Sequence, residues 1–523
     1  MAASRHVPAA AALMAALTLA GCGTTVTGVT TSAGRGIDGE SLNAPTAGVT
    51  GAGAVGTAGP GAGATAGTGG STTGGGTLPA GTAAVPTSRA SAPAPAVTGT
   101  RAGAAAGNGP GVTATTIYVG EDYEPDAATA DAALGAAQAN PGDTKAETEA
   151  VIRYINTHGG IAGRKISPIW YRANLNDSAT TSAQQACALW TQDHKVFVLS
   201  GGDFRGASVL MDQCTAHEGG IQVNSGQITL ETTALNAQFP ADINLNGLTN
   251  DRAMGYTIGG LEQLNYFTSG ARVGIATWDD SNFQYGINHV ALPALARLGL
   301  RNVPVEYVKS PPSYGDLSAT TASVSSAVLK FSQLHIDHVI LFDGATGVAG
   351  GGILTLEWMQ QAHSQHYNPR YGLNSGGGFN ALGSALPADQ RANSLGVSWE
   401  PPLDETSTDF AAAKLSPQAK LCQQIMDKAG QHVSTNNAVA IQFAICDHYF
   451  FLKHALDHVT GPLNQQTALA AINAVGHGYQ GLVNFGVAVS AQRHDMPYLV
   501  RNMTYQQGCK CFRYVGGVYH PAG

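Results

Sequence analysis

Charge is scarce in this sequence, and positive charge scarcest. The 27 Lys and Arg stand against 35 Asp and Glu, for a net charge of −8 over 523 residues. No basic stripe is present to neutralise a phosphate backbone, which argues against a nucleic-acid partner. Beyond the N-terminus no stretch reaches the roughly 20 apolar residues that a bilayer-spanning helix needs. The chain contains no Gly-x-Ser-x-Gly, His-Glu-x-x-His, Walker loop or Cys-x-x-Cys. It also lacks a dinucleotide fingerprint after its first β-rich run, so no motif announces an enzyme and no cofactor is expected.

At the N-terminus, one firm cation (Arg5) precedes an apolar run from about Val7 to Ala20. That run is too short to cross a membrane and reads as a signal-peptide core. It ends in Leu19-Ala20-Gly21-Cys22, which resembles a bacterial lipobox. The resemblance implies that residues 1–22 are a lipoprotein signal peptide, that Cys22 becomes the acylated first residue, and that the protein is exported and held at the outer face of the membrane. Residues 23–110 are almost entirely Gly, Ala, Thr, Ser, Pro and Val, without aromatics or apolar periodicity. Such a segment cannot bury enough surface to offset its chain entropy and is expected to be a disordered tether. A flexible chain of that length spans roughly 50 Å end to end.

The remaining ~410 residues exceed one ordinary core and point to two lobes. Of seven cysteines, setting Cys22 aside leaves an even six, which in an exported protein fits disulfides. Cys187 and Cys214 flank one strand on neighbouring helices and are expected to pair. Cys422, Cys446, Cys509 and Cys511 allow three connectivities. The lone Cys509-Lys-Cys511 is a weak metal signal, and so is the spacing of His454 and His458 on one helix without a third ligand.

Strand-like and helix-like segments alternate along this part. The reading is Thr116–Gly120 strand, Thr144–Asn156 helix, Lys165–Tyr171 strand, Ser178–Thr191 helix, 195–199 strand, 206–217 helix and 221–223 strand. A second series follows: a helix over 251–264, strands at 272–277, 303–308 and 338–342, and helices over 285–298, 317–334 and 353–364. This alternation predicts an α/β protein with two doubly wound parallel sheets. Pro168 cannot donate to a ladder, so its strand belongs at an edge. Helices near 416–429, 437–459 and 464–475 and β segments at 498–503 and 512–519 end the chain.

The stretch Ile155-Asn-Thr-His-Gly-Gly-Ile-Ala-Gly-Arg-Lys-Ile166 joins the first long helix to that edge strand. With the run from Ala271 to Gly286 and the late helix 437–459, it resembles the extracellular ligand-binding receptors, the type I periplasmic binding proteins of the branched-chain amino-acid group. The resemblance covers most of residues 113–500. It implies a periplasmic binding protein-like I fold, with lobe 1 formed by 111–250 and 403–485 and lobe 2 by 251–402 and 486–523. Three crossings would join the lobes, with a solute held in the cleft.

Ligands of open α/β sheets sit beyond the carboxyl ends of the strands. That rule selects the loop 121–123, which begins at Glu121 and offers Tyr123, then Asp203, Phe204 and Arg205, then Ser225 and Gln227 from the first lobe. From the second it selects Trp278, Asp280, Tyr285, Asp343 and Asn374, with Phe283 as wall or core. The resemblance implies that the 203–205 loop meets a carboxylate, with Arg205 adding charge, and that Ser225 and Gln227 offer polar donors. Trp278, Asp280 and Tyr285 would wall the cleft. Two features depart from the family pattern: no Gly-Pro turn follows the first strand, and the Asn374-Ser375 loop lacks an acid. The expected ligand is therefore a small polar metabolite, an amino acid, amide or relative. The partner implied is an ABC-type permease, and the mechanism is lobe closure without chemistry. A sensor of the same fold, or an exported enzyme or cell-wall interaction protein on a reused scaffold, are the alternatives.

Overall fold

Residues 107–133, 139–200, 207–224, 228–229, 231–344 and 351–521 are described by a computed structural model. The signal segment with Cys22, the tether, and Asp203, Phe204, Arg205, Ser225 and Gln227 lie outside the described residues.

The first lobe is built on five parallel strands: β1 (Thr116–Tyr123), β2 (Lys165–Arg172), β3 (Val198–Ser200), β4 (Ile221–Asn224) and β5 (Asp242–Asn244). Their order is β2-β1-β3-β4-β5, so the strand containing Pro168 is at an edge. The second lobe has a seven-stranded sheet of β6 (Val273–Trp278), β7 (Val305–Val308), β8 (His338–Phe342), β9 (Arg370–Asn374), β10 (Ser394–Ser398), β11 (Val500–Gln506) and β12 (Cys511–Tyr519). The order is β12-β11-β10-β9-β8-β6-β7. β6 to β10 run parallel, while β11 and β12 form an antiparallel hairpin on one edge.

The glycine-rich turn is fixed from both sides. The Asn156 side chain donates to Ile166 O at 2.9 Å and accepts from Ile166 N at 2.7 Å, which ties the end of helix Thr144–Thr157 to β2. Gly160 has φ +72°, and a Cβ there would lie 1.9 Å from Arg164 O. Only glycine fits that left-handed, crowded position. Helix Asn436–Leu456 then closes over the turn, as Lys453 Nζ donates to Gly160 O at 2.6 Å.

That helix is the spine of the first lobe. Phe443, Tyr449, Phe451 and Leu452 are buried with Ile117, Val119, Val151 and Ile166 in one apolar cluster. The Cys422–Cys446 disulfide fastens it to helix Pro417–Lys428. Cys187 and Cys214 are joined across the two helices that flank β3, as the sequence reading expects. Cys509 and Cys511 form the third disulfide, in the β11–β12 turn, which removes both thiols from the metal-ligand candidates.

Two helices are less regular than their periodicity predicts. The first changes at Ala188–Asp193 into a wider π-helical turn. The second starts at Ser281 rather than near Tyr285 and contains another such turn over Ile287–Ala291. In both, the apolar stripe continues while the hydrogen bonding shifts by one residue.

Three crossings connect the lobes. The chain stays with the first lobe past Phe485: Val487, Val489 and Met496 lie in its core, and the third crossing falls between Met496 and Val500. Asp495, 2% exposed, organises this region. Its Oδ2 accepts from Thr249 N at 3.2 Å and Thr249 Oγ1 at 3.1 Å, and it pairs with Arg252 Nη1. Arg252 also donates to Asp495 O at 3.0 Å and Pro497 O at 3.2 Å. Asn484 Nδ2 reaches Asn246 O and Trp399 O at 3.3 and 3.2 Å, adding the second crossing. Breaking a buried ion pair by deleting one partner costs about 3–5 kcal/mol. Asp495→Ala should therefore lower the unfolding free energy in urea by about that much; a loss below about 1 kcal/mol would show that this pair does not hold the hinge.

Candidate functional site at the facing sheet ends

The carboxyl ends of the two sheets carry buried polar side chains. In the first lobe Glu121 follows Ile117 and Val119 on the core-facing side of β1 and is 4% exposed. It accepts from Tyr449 Oη, and Ser200 at the end of β3 also hydrogen-bonds it. Ser200 Oγ lies 3.3 Å from His448 Nδ1. Burial pushes the Glu121 carboxyl up to about 8, against the pull of its hydroxyl donors. Burial likewise drops His448 to about 4. At neutral pH this floor therefore combines a protonated acid with an uncharged imidazole.

In the second lobe Asp343 follows β8 and is fully buried. Its Oδ1 accepts from Gly344 N at 2.9 Å, and its Oδ2 accepts from Thr355 N and Oγ1, both at 2.9 Å. Burial raises it to about 7, with these donors opposing the rise. Asn374, at the end of β9, accepts from Gly376 N at 2.9 Å and donates to Thr257 Oγ1 at 3.1 Å. Beside them, Ser375 Oγ donates to Asp404 Oδ2 at 2.5 Å, and burial raises Asp404 to about 7.

Of the residues selected from sequence, Trp278, Asp343 and Asn374 come together at the end of the second sheet. Trp278 is wholly buried in the lobe core, with Nε1 donating to Gly344 O at 3.0 Å, and so supports that loop from inside rather than offering a wall. Phe283 is core as well. Asp280 caps helix Ser281–Gly286 by accepting from Asn282 N at 2.8 Å. Tyr285 lies within that helix, 40% exposed and stacked on His289. Tyr123 is half-buried at the end of β1, edge-on to Trp170, with Lys145 Nζ 4.7 Å from its ring centre. The lobes touch where Val209 of the first packs against the core of the second.

Ser200, His448, Tyr449 and Asp404 escape the loop-based selection, whereas Glu121 lies in the selected 121–123 loop. The two-residue alternation with Ile117 and Val119 adds that Glu121 faces the core. For His448 and Tyr449 the usable signal was polar character in the middle of an otherwise apolar helix.

No family model and no curated protein matches the chain. Solved structures do resemble it. A possible leucine/isoleucine/valine-binding protein from Rhodopirellula baltica SH 1 superposes with TM-score 0.53 at 13% identity, covering 77% of this chain and 97% of the other. A fatty acid ABC transporter substrate-binding protein from Thermomonospora curvata gives 0.53 at 15%, covering 79% and 94%. A periplasmic binding protein type 1 from Bordetella pertussis Tohama I gives 0.53 at 16%, covering 77% and 99%.

The raised carboxyl of Glu121 sets a pH dependence. Unfolded, it titrates near 4.5; folded, near 8. Between those values the folded chain holds the extra proton, so its contribution to stability falls as pH rises. Asp343 and Asp404 act in the same direction up to about 7, whereas His448 acts oppositely below 6.5. Glu121→Gln should gain stability relative to wild type as pH climbs from about 4.5 to about 8; a constant difference in melting temperature across that range would contradict the burial-driven shift. Sheet order and three crossings together give this chain the two-lobed α/β fold of the type 1 periplasmic binding proteins.

Proposed function

We propose that this protein captures one small polar metabolite between its lobes and delivers it to an ABC-type importer. The observation that carries the reading is that two sheets joined by three crossings each end in buried polar side chains. Open α/β sheets bind ligands at such ends, and closing two lobes buries a solute more completely than either lobe alone. The solved structures support it, since their names describe proteins that bind leucine, isoleucine and valine or fatty acids. An amino acid, amide or related metabolite fits the polar floor better than a long acyl chain does.

On this reading Arg205 and the 203–205 loop, with Ser225 and Gln227, meet the anionic or carbonyl end of the solute. Tyr123, Asp280 and Tyr285 form the rim. Asp343, Asn374 and Trp278 hold the second-lobe loops in position. The protein works by closure rather than reaction. Glu121 sits on the serine side of the Ser200–His448 pair, whereas an acid that activates a serine nucleophile must orient the far side of the imidazole. Export, acylation of Cys22 and the 23–110 tether would place the binding lobes near a permease at the outer membrane face.

Thermal unfolding against amino acids, amides, urea, polyamines, aromatic acids and sugars tests the proposal. A ligand at 100 times its Kd adds roughly 2.7 kcal/mol of stability. The expected result is a selective rise in melting temperature that is lost in Arg205→Ala or Tyr285→Ala. A rise retained in both variants would displace the site, and no rise with any compound would contradict the solute-binding reading.

A further inference from the structure

Three acidic side chains meet inside the first lobe, apart from the groups discussed above. Asp212 lies on helix Ser208–Glu218, Glu231 precedes the first crossing, and Asp242 opens the edge strand β5. They are 2%, 1% and 2% exposed. One carboxylate oxygen from each lies within 4.8 Å of those of the other two. We propose that Asp212, Glu231 and Asp242 form a binding site for a hard divalent cation, Ca2+ by preference.

The surrounding bonds favour this assignment. Asp242 is held in place by amide donors: Asn224 Nδ2 at 2.7 Å to Oδ1, and Asn236 and Asn244 Nδ2 at 3.0 and 3.1 Å to Oδ2. Ser208 Oγ donates to Glu231 Oε1. Asp212 differs. Among the described residues no hydrogen-bond donor reaches either of its oxygens, although the side chain is almost completely enclosed. The Asn224 side-chain oxygen, on the amide that orients Asp242, also has no donor there. Acceptor oxygens left without donors in a sealed site cost on the order of 1–3 kcal/mol each, and more when charged. A cation bound among them removes that cost and neutralises the mutual repulsion.

The donor set selects the metal. Carboxylate oxygens with no Cys or His suit Ca2+, Mg2+ or Mn2+ rather than zinc or copper. Ca2+ accepts six to eight oxygens in flexible geometry, which suits ligands drawn from a helix, a loop and a strand edge. The site would also stiffen the hinge. Glu231 O accepts from Asn250 N at 3.0 Å, and Thr233 donates to Asp251 through N and Oγ1, both at 2.9 Å, so the segment carrying Glu231 is bonded to the first helix of the second lobe.

The competing arrangement is a set of protons shared among the three acids, because burial and the neighbouring carboxylates raise both Asp212 and Asp242. Metal analysis and thermal unfolding of the full chain, stripped with EDTA and then supplied with Ca2+, Mg2+ or Mn2+ alone, distinguish the two. The proposal predicts about one equivalent of tightly held cation and a melting temperature about 3 °C higher at 100 times the Kd. Asp212→Asn should lose both the metal and the rise while melting in EDTA no lower than stripped wild type. Should that variant fail to fold, the metal content of wild type decides. Stripped wild type that binds none of the three cations, and melts identically in EDTA and millimolar cation, would overturn the proposal in favour of shared protons. No solute is needed for either measurement, so its outcome is independent of the transport reading.

Discussion

The two lobes depend on one enclosed carboxylate. Asp495 accepts from Thr249 on the first crossing and pairs with Arg252 at the start of the second lobe, while itself lying just before the third crossing. An isolated ion in that position would be prohibitively costly to bury; Arg493 on the same segment lies 3.6 Å from it, and Arg252 adds the closer partner from the second lobe. Asn484 adds the second crossing through carbonyls of Asn246 and Trp399. The hinge is thus a set of backbone segments fastened by side-chain bonds.

Buried acids recur at this interface for a common reason. Glu121 and Asp343 sit near strand ends and Asp404 ends the short helix Pro401–Asp404, positions where hydroxyl or backbone donors without ladder partners point inward. A carboxyl accepts several donors at once, as Asp343 does from Gly344 and Thr355. The consequence is a set of groups that burial moves toward neutrality at physiological pH. On the proposed reading, such a set would suit a solute that brings its own dipole or paired charges, because a fixed unpaired charge in a closed cleft would be costly.

Much of the fold was legible because its signals are local. The glycines of 159–163 stop a helix and start an edge strand, Pro168 marks that edge, and the alternation of strands and helices fixes a parallel sheet. The pairing of Cys187 with Cys214 followed from two helices flanking one strand. The site was less legible because its bonds are distant in sequence. Glu121 and Tyr449 are 328 residues apart, and Asp495 lies 246 residues from Thr249. Trp278 illustrates the same limit: an aromatic at a strand end suits a cleft wall or a core equally, and only the carbonyl of Gly344 decides its orientation. The π-helical turn before Leu292 shifts the helix that carries Tyr285 in a way that apolar periodicity does not register.

The central claim is that the space between the lobes holds one small solute without transforming it. Native mass spectrometry of the intact, oxidised chain in a defined pool of amino acids, amides and small carboxylates tests that claim most directly. The account predicts a single one-to-one adduct whose released compound has the same mass as the compound supplied. A folded protein that carries no adduct from the pool, or that releases a chemically altered product, would contradict it.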